Sequence, residues 1–399
     1  MANSVWRFAM AGQIQFGRGA SAFCGLTAAQ LSIRRPLVVT DQNLIRSGLL
    51  DPIMKSLESH CQSVTLFDGG QAEPPVQIAG DAVSLGRDHQ NDGVIGVGGG
   101  SNLDVAKVTA LVLRHGGQPE NYFGFQKVPG PILPLIAIPT TAGTGSEVSH
   151  SAVLTDPIQK IKVSTLSPWL RPAAALIDPS LTDSCPTTVS AHSGIDALVH
   201  AVEAFTAKDF SLMPSDPSSN LGYEGSHPLG DMFAREAIGA IATHLPQVLT
   251  RPTPASRDAM AWAALLAGMA FSNCGVGLVH ALEYPVGASC HCSHGEGNGL
   301  LLPHVLRFLL PARKDRLAEI ATLFGAQSGT PEQMAEEAIE RIEALARQCG
   351  LRSRLRDLGV QAEQLESFAE KSHRIERLME VSPRKPSVGD LASILQAAW

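Results

Sequence analysis

At 399 residues, with 44% hydrophobic and 17% charged side chains, the chain is long enough for two domains and too apolar to be disordered. A formal net charge of -7 and a pI near 6.0 leave no basic stripe, which excludes nucleic acid as a partner on electrostatic grounds. No apolar run approaches the roughly 20 residues that cross a bilayer, Arg7, Gln13, Gln15 and Arg18 break up any signal-like start, and seven cysteines make an odd set, so a cytoplasmic protein without membrane or disulfide framework is expected.

In the first half, short apolar runs alternate with amphipathic stretches. Pro36 to Thr40 is a β-rich run that ends at Asp41, followed by helix-like sequence with Leu44, Ile45 and Leu49. Ser63 to Phe67 is stopped by Asp68-Gly69-Gly70, Gly93 to Val97 leads into a helical stretch from Leu103 to Leu113, and Pro134 to Ile138 and Ala174 to Ile177 follow. Continuous runs of this length suit parallel strands covered on both faces, and their alternation with helices predicts an α/β sheet with right-handed crossovers. After Cys185-Pro186 helical periodicity takes over, at Val189 to Ala207, Gly230 to Leu249, Ser256 to Phe271, Arg316 to Phe324, Pro331 to Cys349 and Gln361 to Ala369. The reading is an α/β domain over residues 1–185 and an all-helical domain over residues 186–399, with the polar stretch from Lys208 to His227 as a surface loop and no internal repeat.

Three places in the first half suit a dinucleotide. Asp41, at the end of a strand, can bind a ribose 2′-OH and repel a 2′-phosphate, or can simply cap the next helix. Gly98-Gly99-Gly100-Ser101 follows a strand and opens a helix, so its amides can cradle a pyrophosphate; an ordinary glycine turn fits equally well. Asp104 and Lys107 sit on the first turns of that helix, where an acidic residue also favours the helix dipole. Thr140-Thr141-Ala142-Gly143-Thr144-Gly145-Ser146-Glu147 packs hydroxyls and glycines between apolar elements, and offers donors to phosphate or ribose oxygens. Thr140, Thr141, Thr144 and Ser146 therefore join the cofactor set, as does Lys162. No base is fixed beside Ser146, so it reads as a cofactor contact and not as a nucleophile.

In the second half Asp196 and His200 stand four apart in an otherwise apolar helix, so they share one buried face. A buried aspartate needs a partner, which either the histidine itself or a cation supplies. His280, at the end of a helical segment, and His294, in Cys292-Ser293-His294-Gly295-Glu296-Gly297, would complete one carboxylate and three imidazoles, a set suited to Fe²⁺ or Zn²⁺. Spacing alone does not bring the two pairs together. Cys290-His291-Cys292 lacks a nearby fourth ligand for a structural zinc and reads as free thiols, while His192 and His304 read as packing residues.

The glycine-serine turn with Asp104 and Lys107, the Thr140 to Glu147 loop, Gly194-Ile195-Asp196-Ala197-Leu198-Val199-His200-Ala201-Val202-Glu203, and His280 followed by His294 together resemble the iron-containing (group III) alcohol dehydrogenase family. The resemblance runs from Phe16-Gly17-Arg18-Gly19 to Pro383-Arg384. It implies a Rossmann-like N-terminal domain, a helical C-terminal domain with a cleft between them, and a homodimer or larger assembly, while Asp41 favours NAD over NADP. It also implies a divalent metal, Fe²⁺ favoured and Zn²⁺ second, on Asp196, His200, His280 and His294. Many members carry a further histidine where this chain has Tyr284, which is expected either to move a proton or to line the pocket. Tyr284 and the segment from Tyr223 to Asp231 resemble the hydroxyacid–oxoacid transhydrogenase branch.

The expected activity is hydride exchange between NAD and a primary alcohol or short hydroxyacid. Alternatives are transhydrogenation on retained NAD, a lyase of the dehydroquinate-synthase type, against which the ligand pattern counts, and a non-catalytic metal- or nucleotide-binding protein.

Overall fold

The computed structural model describes residues 4–157, 161–214 and 222–399, and the chain divides into two units. One is Ala9–Cys185; the other is Pro186–Trp399 together with the segment that ends at Phe8.

The first unit is built on strands β1 (Ile14–Phe16), β2 (Pro36–Val39), β3 (Thr65–Phe67), β4 (Gly93–Gly98), β5 (Gly124–Phe125), β6 (Leu135–Pro139), β7 (Ser151–Asp156), β8 (Ile161–Leu166) and β9 (Ala174–Ile177). Six of them form a wholly parallel sheet in the order β1-β9-β6-β4-β2-β3. Helices α1 (Cys24–Gln30), α2 (Gln42–Arg46), α3 (Asp51–His60), α4 (Val76–Asp88) and α5 (Gly100–His115) supply the crossovers and covers. Side chains alternate between faces along each strand. Leu37, Val39, Val94 and Leu135 pack into one apolar cluster with Val105, Val108 and Leu111 of α5. Val38, Ile95, Val97, Ile136 and Ile138 pack into the other with Ile53 and Leu57 of α3.

The runs at β2, β4, β6 and β9 thus become doubly covered parallel strands, as expected, while Ser63 to Phe67 becomes the edge strand β3 with Leu66 exposed. Strands β5, β7 and β8, unexpected from the sequence, form a second sheet in the order β5-β8-β7 with an antiparallel β7–β8 pair. β7 buries only alternate residues, so it lacks the continuous apolar run on which the other strands were recognised.

The second unit carries helices α6 (Thr187–Thr206), α7 (Pro228–Thr250), α8 (Pro254–Cys274), α9 (Leu278–Cys290), α10 (His294–Leu323), α11 (Pro331–Gln348), α12 (Leu365–His373), α13 (Glu376–Glu380) and α14 (Val388–Ala398). Two features differ from the sequence expectation. His280 does not end a helix but stands in the first turn of α9, because α8 stops at Cys274 where Gly275 takes φ 106°. Helix α10 starts at His294, far upstream of the expected Arg316, despite Gly295, Gly297, Gly299, Pro303 and Pro311. Those residues disfavour a helix in isolation, and packing overrides them. A β-carbon on Gly295 would overlap the His192 carbonyl of α6, and one on Gly299 would overlap Ile195. The bare glycine face lets α10 lie against α6. Among the described residues, no single helix is long and apolar enough to cross a membrane.

Candidate metal centre and cofactor loops

Asp196 and His200 project from the middle of α6, His280 from the first turn of α9 and His294 from the first residue of α10. One ligand atom from each of Asp196, His280 and His294 lies within 4.8 Å of the others. His200 stacks on His280 with ring centroids 4.9 Å apart, and its Nδ1 lies 4.0 Å from Asp196 Oδ2. Phe271 stacks on His200 at 4.2 Å. Asp196, His200 and His280 are buried, while His294 keeps 30% of its side chain exposed. All four histidine and aspartate candidates are therefore neighbours.

The orientation of the rings has a clear cause. Glu203, one helical turn beyond His200 on α6, accepts the backbone N–H of Val279 with Oε1 (2.7 Å), and its Oε2 meets His280 Nδ1 (2.5 Å). Glu283, three residues after His280 on α9, sets Oε2 against His294 Nδ1 at 2.7 Å. A carboxylate only accepts, so each Nδ1 carries the proton and each Nε2 turns its lone pair inward. Asn298, one turn after His294, donates from Nδ2 to Asp196 Oδ1 at 2.9 Å.

Burial alone would push the Asp196 carboxyl up. The imidazoles of His200, His294 and His280, with the Asn298 bond, instead hold it down at about 2. Three buried carboxylates, Asp196, Glu203 and Glu283, thus surround inward-facing imidazole lone pairs. This donor chemistry fits a divalent cation, because lone pairs that converge in a buried site need a positive partner.

In the first unit the glycine turn and the threonine loop leave the C-terminal ends of the adjacent strands β4 and β6, beside Asp41 at the end of β2. Strand order reverses between β2 and β4, the position where open α/β sheets bind ligands. Gly98 takes φ 146°, and Gly99 caps α5, whose first residues are Gly100 and Ser101. A β-carbon on Gly100 would sit 2.7 Å from Thr144 Cγ2, so the two loops are packed together, and Thr140 N donates to Gly98 O (3.0 Å). Asp41 caps α2 through Oδ1, with Asn43 N at 2.9 Å and Leu44 N at 3.2 Å, while its Oδ2 accepts from Asn102 at 2.8 Å.

Asp104 braces the loop from within. It accepts from Ser146 Oγ (2.6 Å) and from Val153 N (2.9 Å), tying α5 to the threonine loop and to β7. Lys107, fully buried, donates to Ser149 Oγ and the Ser151 carbonyl. Burial pulls its pKa down to about 8, with Asp104 and Glu147 opposing. Lys162, on β8, pairs with Glu73 at 3.1 Å. Cys290 and Cys292 are free thiols.

The sequence matches the family described as iron-containing alcohol dehydrogenase over residues 11–179 and the C-terminal part of the same family over residues 221–399. The chain belongs to the iron-containing alcohol dehydrogenase family. It is an oxidoreductase acting on CH–OH groups. This dehydrogenase is 34% identical over 385 residues to the NAD-dependent methanol dehydrogenase of Bacillus methanolicus, with 96% of this chain and 97% of that protein covered. It is 34% identical over 389 residues to the 1,3-propanediol dehydrogenase of Klebsiella pneumoniae, with 96% of each covered. Among solved structures, a 1,3-propanediol oxidoreductase superposes with a TM-score of 0.92 at 33% identity, covering 99% of this chain and 100% of that one.

Sequence reasoning passed over Glu203, Glu283 and Asn298 as functional residues in this dehydrogenase. Their signal was helical spacing: three after His200, three after His280 and four after His294. Supporting carboxylates of this kind typically carry about 10–100-fold in metal affinity. Glu203→Gln and Glu283→Gln are therefore expected to weaken metal binding by about that factor, measured by competition with a chromophoric chelator. Wild-type affinity in both variants would remove the carboxylates from the site.

Proposed function

We propose that this protein interconverts a primary alcohol or short hydroxyacid with its aldehyde or oxo form by hydride exchange with NAD, at a divalent cation held by Asp196, His200, His280 and His294. The observation that carries this reading is the inward lock of His280 and His294 by Glu203 and Glu283 around Asp196. Fe²⁺ is our first choice of cation and Zn²⁺ the second, since both accept this donor set. When bound, such a cation supplies Lewis acidity that lowers an alcohol's pKa and polarises a carbonyl.

The chain's own residues then have distinct work. Glu203 and Glu283 hold the imidazoles by Nδ1 and keep Nε2 turned inward. Phe271 covers one face of His200, and the part-exposed His294 leaves the cluster approachable from its own side. Gly98 to Ser101 and Thr140 to Thr144 offer amides and hydroxyls to the pyrophosphate of NAD, where the start of α5 favours negative charge, while the Ser146 hydroxyl is held by Asp104. Lys162, held by Glu73, adds a cation to this set. The NAD-dependent relative supports the cofactor assignment.

Tyr284 is assigned to proton transfer. Its ring lies 6.3 Å from that of His294, and the Arg377 guanidinium carbon sits over the ring face, 5.9 Å from its centroid. Tyr284 in place of the common histidine, with the Tyr223 to Asp231 segment, also favours a second reading: transhydrogenation between a hydroxyacid and an oxoacid on retained NAD.

The deciding experiment joins metal analysis to a screen for NADH formation over alcohols and hydroxyacids. One divalent ion per chain and NADH from at least one substrate are expected. His280→Ala and His294→Ala should each lose the metal and more than about 100-fold in kcat/KM, beyond the cost of a supporting carboxylate. Retention of both would end the proposal. Turnover of 4-hydroxybutyrate with 2-oxoglutarate, without added NAD, would select the second reading.

Tyr284→Phe is expected to lower kcat by about 100-fold or more and to abolish one limb of its pH profile. An unchanged profile would leave Tyr284 as pocket wall. Asp41→Asn keeps a helix cap but removes the charge, so kcat/KM for NADP⁺ relative to NAD⁺ should rise at least about tenfold. A constant ratio would take Asp41 out of cofactor choice.

A further inference from the structure

The side-chain amide of Asn298 stands at the point where the metal ligands converge. Its Nδ2 lies 2.9 Å from Asp196 Oδ1, 3.1 Å from His294 Nε2 and 3.3 Å from His280 Nε2. The residue is fully buried. With both Nδ1 atoms protonated against Glu283 and Glu203, the two Nε2 atoms can only accept, so the amide N–H groups point at the lone pairs a cation would take. The other end of the amide tells the same story. Asn298 Oδ1 is buried and makes no hydrogen bond among the described residues, so the amide is placed by what its nitrogen does.

We propose that Asn298 is an internal stand-in for the cation and a positioning residue for metal uptake. This inference rests on the metal-site reading above. In the metal-free chain the two N–H groups of the amide, shared among Asp196, His280 and His294, hold the three side chains assembled. Metal uptake is then an exchange. A bound cation would take the imidazole nitrogens that the amide now faces, while the amide would keep its bond to Asp196 Oδ1, on the side away from His200. The amide therefore competes with the metal at two ligands and orients it at the third. Its position one helical turn after His294 makes this possible, because His294 and Asn298 share a face of α10.

The exchange predicts a thermodynamic asymmetry that a merely structural side chain does not have. Asn298→Ala should destabilise the metal-stripped protein more than the Co²⁺-loaded protein, so that the Co²⁺-induced rise in Tm exceeds that of the wild type. With the competing N–H removed, Co²⁺ should bind at least about fivefold more tightly to Asn298→Ala, measured by chelator competition. The visible absorption bands of bound Co²⁺ should also shift, since Asp196 loses the donor that fixes its free oxygen. Asn298→Asp keeps the shape but places a carboxylate against Asp196. Its Co²⁺-induced rise in Tm should be larger than the wild type's, which tests the idea even if the alanine variant does not fold.

Equal losses of Tm with and without Co²⁺, or wild-type Co²⁺ affinity and spectrum in both variants, would overturn the stand-in role and leave the metal site intact. Failure of the wild-type protein itself to bind Co²⁺ would overturn the metal-site reading and this inference with it.

Discussion

A buried carboxylate that grips the Nδ1 proton of an imidazole is the contact on which the candidate centre depends. It occurs twice, at Glu203–His280 and at Glu283–His294, and each time it decides which ring nitrogen is left to face Asp196. Without it, His280 and His294 could present either nitrogen, or turn their rings away. The same contact explains why acidic groups are tolerated at the heart of an otherwise apolar helix. Glu203 and Glu283 are both buried, and each pairs with a ring whose second nitrogen belongs to the site. Loss of either carboxylate would not remove a ligand, but it would release one from its orientation.

The first unit solves a different problem by related means. Its glycine turn and threonine loop carry few large side chains, so they need bracing from outside themselves. Asp104 and Lys107, one turn apart on α5, provide it by binding Ser146, Val153, Ser149 and Ser151. The acidic and basic residues nearest the glycine turn are therefore engaged with protein atoms, and a phosphate placed there would meet backbone amides and threonine hydroxyls. Such a loop recognises shape and negative charge together.

Much of this was legible in the sequence, for identifiable reasons. Parallel strands buried on both faces write themselves as unbroken apolar runs, and β2, β4, β6 and β9 were found that way. β7 buries every second residue and β1 spans three residues, so neither leaves such a run. On the helical side, α6 and α11 have clear periodicity, whereas the start of α10 is dense in glycine. There the local preference of the residues points away from helix, and close packing on α6 decides the outcome. Asp196 and His200 could be paired by spacing because they share one helix. Their meeting with His280 and His294 depends on how α9 and α10 lie against α6, a fact of tertiary packing that reached the sequence reading only through family resemblance. Asp41 shows the limit of choosing one role per residue: it caps α2 and also stands at the strand end where a ribose would be read.

Glu203 does two jobs with its two oxygens, one on the Val279 amide and one on the His280 ring. The beginning of α9 and the aim of a candidate ligand are thus a single mechanical variable. A shift of that helix along its axis would drag the imidazole with it, and a ring pulled toward a different ionic radius would pull back on the helix. The breadth of ions such a centre accepts is then set less by the reach of its side chains than by the stiffness of the backbone turn beneath them.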